Sequence, residues 1–151
     1  MSTLMIRALV LLLVLAATML FIWLGRRFVA TRRRRVLNST PQQNIPDMPA
    51  MPPMPTTPVR ILAFSSADCR QCHTMQAPAL KRVLENRSDT VAVLTVDATT
   101  EPELTKHYQV LTVPTTVLLD ATGKAHAINY GFANTQQLLA QIDEILAITQ
   151  Q

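Results

Sequence analysis

The sequence predicts an α/β domain with a mixed central sheet, preceded by one membrane-spanning helix. Three observations carry that prediction. An uncharged apolar run fills Ala8 to Leu24, a proline-rich stretch covers residues 38–58, and from Val59 onward short β-branched runs alternate with amphipathic ones. The chain divides accordingly into an anchor and Arg-rich segment (1–37), a Pro/Met-rich linker (38–58) and a folded domain (59–151).

The apolar run, extended by Ile6, Arg7 and Gly25, is about 20 residues long, enough to cross a bilayer core of roughly 30 Å as a helix. Trp23 stands near its far end, where interfacial aromatics are favoured. A cleaved secretory signal needs a basic start and a small-residue cleavage site. Here the chain starts Met1-Ser2-Thr3 and the run ends Gly25-Arg26-Arg27, so an uncleaved anchor at about 6–25 is expected. Arg26, Arg27 and Arg32 to Arg35 follow the span, against Arg7 before it. Basic flanks stay on the cytoplasmic side, so the domain is expected to face the cytoplasm, with the extracytoplasmic side as the alternative. The same arginines suit the anionic headgroups of a lipid bilayer.

Charge follows the same division. Residues 1–58 hold seven basic residues and one acid, whereas residues 59–151 hold seven basic and nine acidic ones. The basic pI therefore belongs to the anchor, and no basic face with aromatic platforms marks a nucleic-acid binder. Seven of the ten prolines fall in the linker, which excludes helix and central strand and favours extended polyproline II. Met48, Met51 and Met54 recur there at a spacing of three, which would align their thioethers on one edge of such a helix. Soft sulfur ligands suit Cu(I), so a copper site is one reading and a plain spacer the other.

Within the domain, Val59 to Phe64 is a strand and Cys69 to about Arg87 a helix bent by Pro78. Val91 to Val96 fits a buried strand, and Thr100-Glu101-Pro102-Glu103 a capping-box start to a short helix ending at His107. Thr115 to Leu119 and Lys124 to Tyr130 flank Asp120-Ala121-Thr122-Gly123 as a hairpin. Asn134 with Gln137 opens a last helix whose Leu138, Leu139, Ile142, Ile145 and Leu146 form one apolar stripe. The order β-α-β-α-β-β-α implies parallel pairing of the first two strands and an antiparallel hairpin edge.

Cys69 and Cys72 are the only cysteines, and they follow a predicted strand and open a predicted helix. In that context C-x-x-C is a redox-motif candidate. Unpaired N–H groups and the helix dipole at a first turn favour a thiolate at Cys69. Arg70 assists it and Asp68 opposes it. The same letters with His73 spell a haem c attachment motif, but the β-rich continuation fits a cytochrome poorly. A structural zinc site needs a second close ligand pair, which His73, His107 and His126 do not make.

Strand, C-x-x-C, helix and then Val113-Pro114-Thr115 ahead of a strand resembles the thioredoxin superfamily over about residues 59–149. Asp97, Tyr108, Gly123 and Gly131 are further points of similarity. The resemblance implies a thioredoxin-like fold and a cis peptide before Pro114, which would lie beside the cysteines. It also implies that the Val113 backbone pairs with an extended substrate segment. It implies an enzyme, a thiol–disulfide oxidoreductase serving cell redox homeostasis, with Cys69 as nucleophile, Cys72 as resolving thiol and no cofactor beyond their redox-active disulfide. Implied partners are protein thiols or disulfides, and an electron donor such as a thioredoxin reductase or a membrane thiol carrier. The alternative is a non-catalytic or Cu(I)-handling module of the same fold.

The sequence also departs from the family. Asp68 replaces the tryptophan before the first cysteine, Arg70-Gln71 the Gly-Pro pair, Ala63 a buried acid and Val93 its partner lysine. His73 follows the motif as a surface residue and a candidate proton shuttle for Cys72. The family's first strand and helix have no counterpart, and Pro78 falls one residue later than usual.

Overall fold

The structure, a computed structural model, describes residues 2–38 and 57–149. It forms two compact units, Met1–Arg35 and Val36–Gln151. Met48, Met51 and Met54, and with them most of the expected linker, lie outside the described residues.

The first unit is helical. Helix α1 runs Ser2–Asn38, well past the expected end near Gly25. The next helix breaker after Gly25 is Pro41, and the intervening arginines propagate a helix readily. Within it Met5–Thr31 is long and apolar enough to cross a membrane by length and composition. Thr18, the one hydroxyl of the apolar run, donates to the Leu15 carbonyl at 2.9 Å, so the helix satisfies its own polar group. The Arg27 guanidinium lies over the Trp23 ring at 5.0 Å, a cation–π contact.

The second unit is built on a four-stranded sheet of order β2-β1-β3-β4. Its strands are β1 (Val59–Ser65), β2 (Val91–Asp97), β3 (Thr115–Asp120) and β4 (Ala125–Tyr130). β1 pairs parallel with β2 and antiparallel with β3, and β3 and β4 form the antiparallel hairpin. The helices are α2 (Ala77–Arg87), α3 (Pro102–His107) and α4 (Thr135–Thr149). This is the β-α-β-α-β-β-α order expected from the sequence.

Alternation along the strands divides the core in two. Val59, Ile61 and Ala63 face α2 and α4, meeting Leu80, Val83, Leu138, Ile142 and Ile145. Leu62 and Phe64 face the other way, toward Leu104 and Tyr108 of the α3 region. All six residues of β3 are buried, as its place inside the sheet requires. β2 differs from the buried strand expected. Val91 and Val96 are buried, but Val93 and Leu94 are only partly so and Thr95 is exposed. It is an outer strand, because the described residues place no further strand beside it.

Two local expectations change in detail. The N-cap of α3 is Glu101, with no side-chain cap, rather than Thr100. Thr100 Oγ1 turns back to the Asp97 carbonyl at 3.5 Å, while the Asp97 carboxylate takes the N–H and hydroxyl of Thr99. Those bonds, the Thr99 hydroxyl's foremost, hold the Asp97 carboxyl below its ordinary range. At α4 the expectation holds, since the Asn134 side chain accepts the Gln137 N–H at 2.8 Å. Gln137 then reaches Asn129 of β4 instead of closing the box. Asn129 also exchanges two hydrogen bonds with Gln141 and donates to Thr116 Oγ1, a polar cluster between sheet and helix.

Candidate redox site

β1 ends at Ser65, and a short turn follows in which the Cys69 N–H donates to the Ser66 carbonyl at 3.1 Å. Cys69 and Cys72 are joined by a disulfide with Cα atoms 5.3 Å apart. Cys72 is 4 % exposed, while Cys69 is half-buried. The Cys72 N–H donates to Cys69 Sγ at 3.2 Å. A backbone donor is therefore aimed at the sulfur of the less buried cysteine, where it stabilises negative charge.

The helix expected from Cys69 is present, helical from Arg70 onward, but it is not α-helical throughout. A π turn spans Cys72–Gln76, in which the Ala77 N–H donates back to the Cys72 carbonyl, and α2 proper starts at Ala77 with Pro78 in its first turn. A π turn holds one more residue than the α-helical path. That accounts for the late position of Pro78, so the irregularity precedes the proline, which falls in the first turn of α2. The turn also buries Gln76, at 3 % exposure. The Gln76 amide donates to the Ala133 carbonyl at 3.2 Å and accepts the Ala133 N–H at 2.9 Å. Sequence reading passed over Gln76; the displaced proline was the signal, since it announces an extra residue just there.

Sheet register gathers the remaining candidates at one end of the domain. Phe64 pairs with Thr115, and Thr115 with Tyr130, so Pro114 and Gly131 flank the end of β1 from which the cysteine turn departs. The Val113–Pro114 peptide is cis. The Pro114 carbonyl accepts the Gly131 N–H at 2.8 Å, and Thr115 Oγ1 donates to the Thr112 carbonyl at 2.6 Å. Pro114 is buried and Val113 partly so. Asp68, Arg70, Gln71 and His73 are all exposed around the disulfide. His73 Nε2 is 3.1 Å from the Ala67 carbonyl, an acceptor, so that nitrogen donates and the ring braces the turn. Gln71 reaches no further than the Met75 sulfur, at 4.0 Å.

The positions of the missing acid and lysine are apolar in fact. Ala63 is 4 % exposed, and Val93 packs against the same cluster of aliphatic side chains. Among the described residues no group of three His, Cys, Asp or Glu side chains is placed to hold a metal.

Comparison with known proteins agrees with this geometry. The Thioredoxin family model matches residues 55–144. The chain belongs to the thioredoxin family. No curated protein matches it. Among solved structures it is similar to thioredoxin-2 of the malaria parasite, a component of the protein secretion machinery, at 23 % identity and TM-score 0.53. That match covers 57 % of this chain and 82 % of the other. Chloroplastic thioredoxin z matches at 26 % identity and TM-score 0.53, covering 59 % and 79 %. Mitochondrial thioredoxin 3 from Saccharomyces cerevisiae, in its oxidized form, matches at 25 % and 0.51, covering 58 % and 79 %. A thioredoxin domain with this close cysteine pair supports thiol–disulfide oxidoreductase activity toward protein thiols.

Proposed function

We propose that this thioredoxin is a membrane-tethered oxidoreductase that exchanges disulfides with protein substrates, Cys69 attacking and Cys72 resolving. The observation that carries the reading is the asymmetry of the pair: a half-buried Cys69, whose sulfur accepts the Cys72 N–H, beside a buried Cys72. In the dithiol form the Cys69 thiolate attacks a substrate disulfide. A Cys69–substrate S–S bond forms, the substrate bond breaks, and the departing substrate sulfur takes up a proton. The Cys72 thiolate then attacks Cys69 Sγ, releasing the second substrate thiol. The protein is left oxidised by two electrons and the substrate reduced by two. The reverse sequence oxidises a substrate dithiol, and the reduction potential against that of the compartment selects the direction.

Val113 offers its backbone to an extended substrate segment beside Pro114. Asp68, Arg70, Gln71 and His73 set the electrostatics of the exposed rim. No protein carboxylate occupies position 63 to draw the proton from Cys72, so that proton passes to solvent, to the departing substrate thiolate or to His73, the candidate shuttle after the motif. A dithiol donor, either a thioredoxin-reductase type or a membrane thiol carrier, regenerates the reduced form.

The Met5–Thr31 stretch supports tethering to a lipid bilayer, and the arginines after it favour a cytoplasmic domain. Membrane-impermeant maleimide applied to intact cells tests the side: protection until lysis is expected, and labelling of intact cells places the domain outside. Activity is tested with the full chain in detergent, reducing insulin disulfides with dithiothreitol. Turnover that Cys69→Ser abolishes is expected. Trapping of a mixed disulfide by Cys72→Ser then identifies the attacking sulfur. Equal rates with and without the protein would sink the catalytic reading and leave a non-catalytic binding module, which the apolar side chain at position 63 favours.

A further inference from the structure

The π turn does more than absorb an extra residue. It turns Gln76 inward, and the amide then uses one donor and its acceptor on the two backbone groups of a single residue, Ala133. Ala133 belongs to the loop that leaves β4 and enters α4. That loop is pinned at three successive points: Gly131 N–H to the Pro114 carbonyl, Ala133 to Gln76, and Thr135 Oγ1 to the Ala79 carbonyl at 3.4 Å. A continuous path therefore runs from Cys72 through the π turn to Gln76, across to Ala133, along the chain to Gly131, and across again to Pro114. Phe132, partly buried, stands between the first two pins.

The middle pin is the one that touches the disulfide-bearing segment. A paired amide–backbone bridge fixes both distance and orientation, as a single hydrogen bond does not. An aliphatic side chain at position 76 would fill the space but leave the Ala133 N–H and C=O without these partners. We propose that Gln76 is a positioning residue for protein substrates, holding the Gly131–Ala133 loop, and through it the Val113–Pro114 segment, at a fixed distance from the disulfide. The inference rests on the proposed exchange reaction and adds the residue that sets its recognition geometry. Gln76 acts through the loop and takes no part in bond making. Its removal spares small disulfides, which need only the Cys69 sulfur, and penalises substrates that lay a peptide chain beside Pro114.

The test uses the full chain in detergent with Gln76→Met, which keeps length and apolar bulk, and Gln76→Glu. Insulin serves as the protein substrate and 5,5′-dithiobis(2-nitrobenzoate) as the small one. For Gln76→Met, the released loop occupies its binding-competent position only about a tenth of the time, so KM for insulin rises about tenfold with kcat and the small-disulfide rate unchanged. Amide hydrogen exchange at Ala133 accelerates, while β3 amides stay protected. Gln76→Glu supplies a pH profile: its protonated carboxyl restores both a donor and an acceptor, and its ionised form loses the donor. Its insulin KM, relative to wild type at each pH, is therefore near one in acid and rises as pH increases. An unchanged insulin KM in Gln76→Met, an equal loss on both substrates, or a flat ratio for Gln76→Glu overturns the proposal. If wild type itself turns over neither substrate, the exchange reaction fails first, a result distinct from any of these.

Discussion

His126 Nε2 lies 2.6 Å from Asp120 Oδ2, across the β3–β4 hairpin at the end of the sheet opposite the cysteines. The carboxylate accepts, so this nitrogen donates. A bulge makes the contact: Leu118 pairs with Ala127 and Leu119 with Ala125, leaving His126 out of the ladder and free to turn toward Asp120. The other carboxylate oxygen takes the Thr122 hydroxyl and the N–H groups of Thr122 and Lys124. Burial works to raise the Asp120 carboxyl, but the bonds from Thr122, His126 and Lys124 outweigh it and hold it below its ordinary range. Asp120→Ala leaves those donors unsatisfied and is expected to cost about 2–3 kcal/mol in urea unfolding of the full chain in detergent.

The sign of the pH effect follows. A carboxyl depressed in the folded state contributes stability above its unfolded value and loses it as pH falls through the folded one. Wild type is therefore expected to lose stability on the acid side, below the ordinary carboxylate range. Asp120→Asn, which cannot ionise, flattens that limb. Melting temperatures between pH 3 and 7 for the two proteins check this, and parallel acid limbs would remove Asp120 from the account.

Gly131 has φ +88°, and a Cβ built there meets nothing within 4 Å. The expected cost of Gly131→Ala is thus that of the left-handed backbone alone, about 1–2 kcal/mol. Denaturant midpoints measure it. A much larger loss would mean that the loop shifts and surrenders its bond to Pro114.

Ile142 of α4 is fully buried against Ile61, Val83 and Leu118. Ile142→Ala is expected to destabilise the domain by about 2–5 kcal/mol, the range for opening a core cavity. The rate of Cys69 alkylation in the variant should remain that of wild type under native conditions, because the aliphatic cluster that holds Ile142 includes neither cysteine.

In the reduced protein, iodoacetamide is expected to modify Cys69 well before Cys72, since the first residue is half-buried and the second buried. Peptide mass spectrometry after a short pulse reads the order directly. Equal labelling would contradict the assignment of attacking and resolving thiols.

Most of the fold was legible because it rests on local signals. Strand limits at Val59, Val91 and Thr115 follow from β-branched runs, the hairpin from Asp120 to Gly123, and the α4 cap from Asn134. What escaped depends on which of several available partners a group takes in the fold. Whether Val91 to Val96 is inner or outer is decided by whether another strand lies beside it, which its own residues do not encode. The cap of α3 moved because Asp97 engaged Thr99 and left Thr100 to bond the Asp97 carbonyl, a competition settled in space. At the site, the cysteine pair and Pro114 stand out as a motif. Gln76 does not, because nothing in Met75-Gln76-Ala77 reveals a partner 57 positions away.

The cluster around Asn129 has a consequence for how α4 is seated. Aliphatic side chains such as Leu138, Ile142 and Ile145 would accept several sliding arrangements on a sheet of like residues at similar energy. Amide groups would not. With Asn129 exchanging bonds with Gln141 and taking another from Gln137, a shift of the helix by one turn strands buried donors and acceptors. The greasy contacts hold the helix down, and three amides tell it where to stop. Since the same helix begins two residues after Ala133, the alignment chosen at Asn129 is passed on to the loop beside the cysteines.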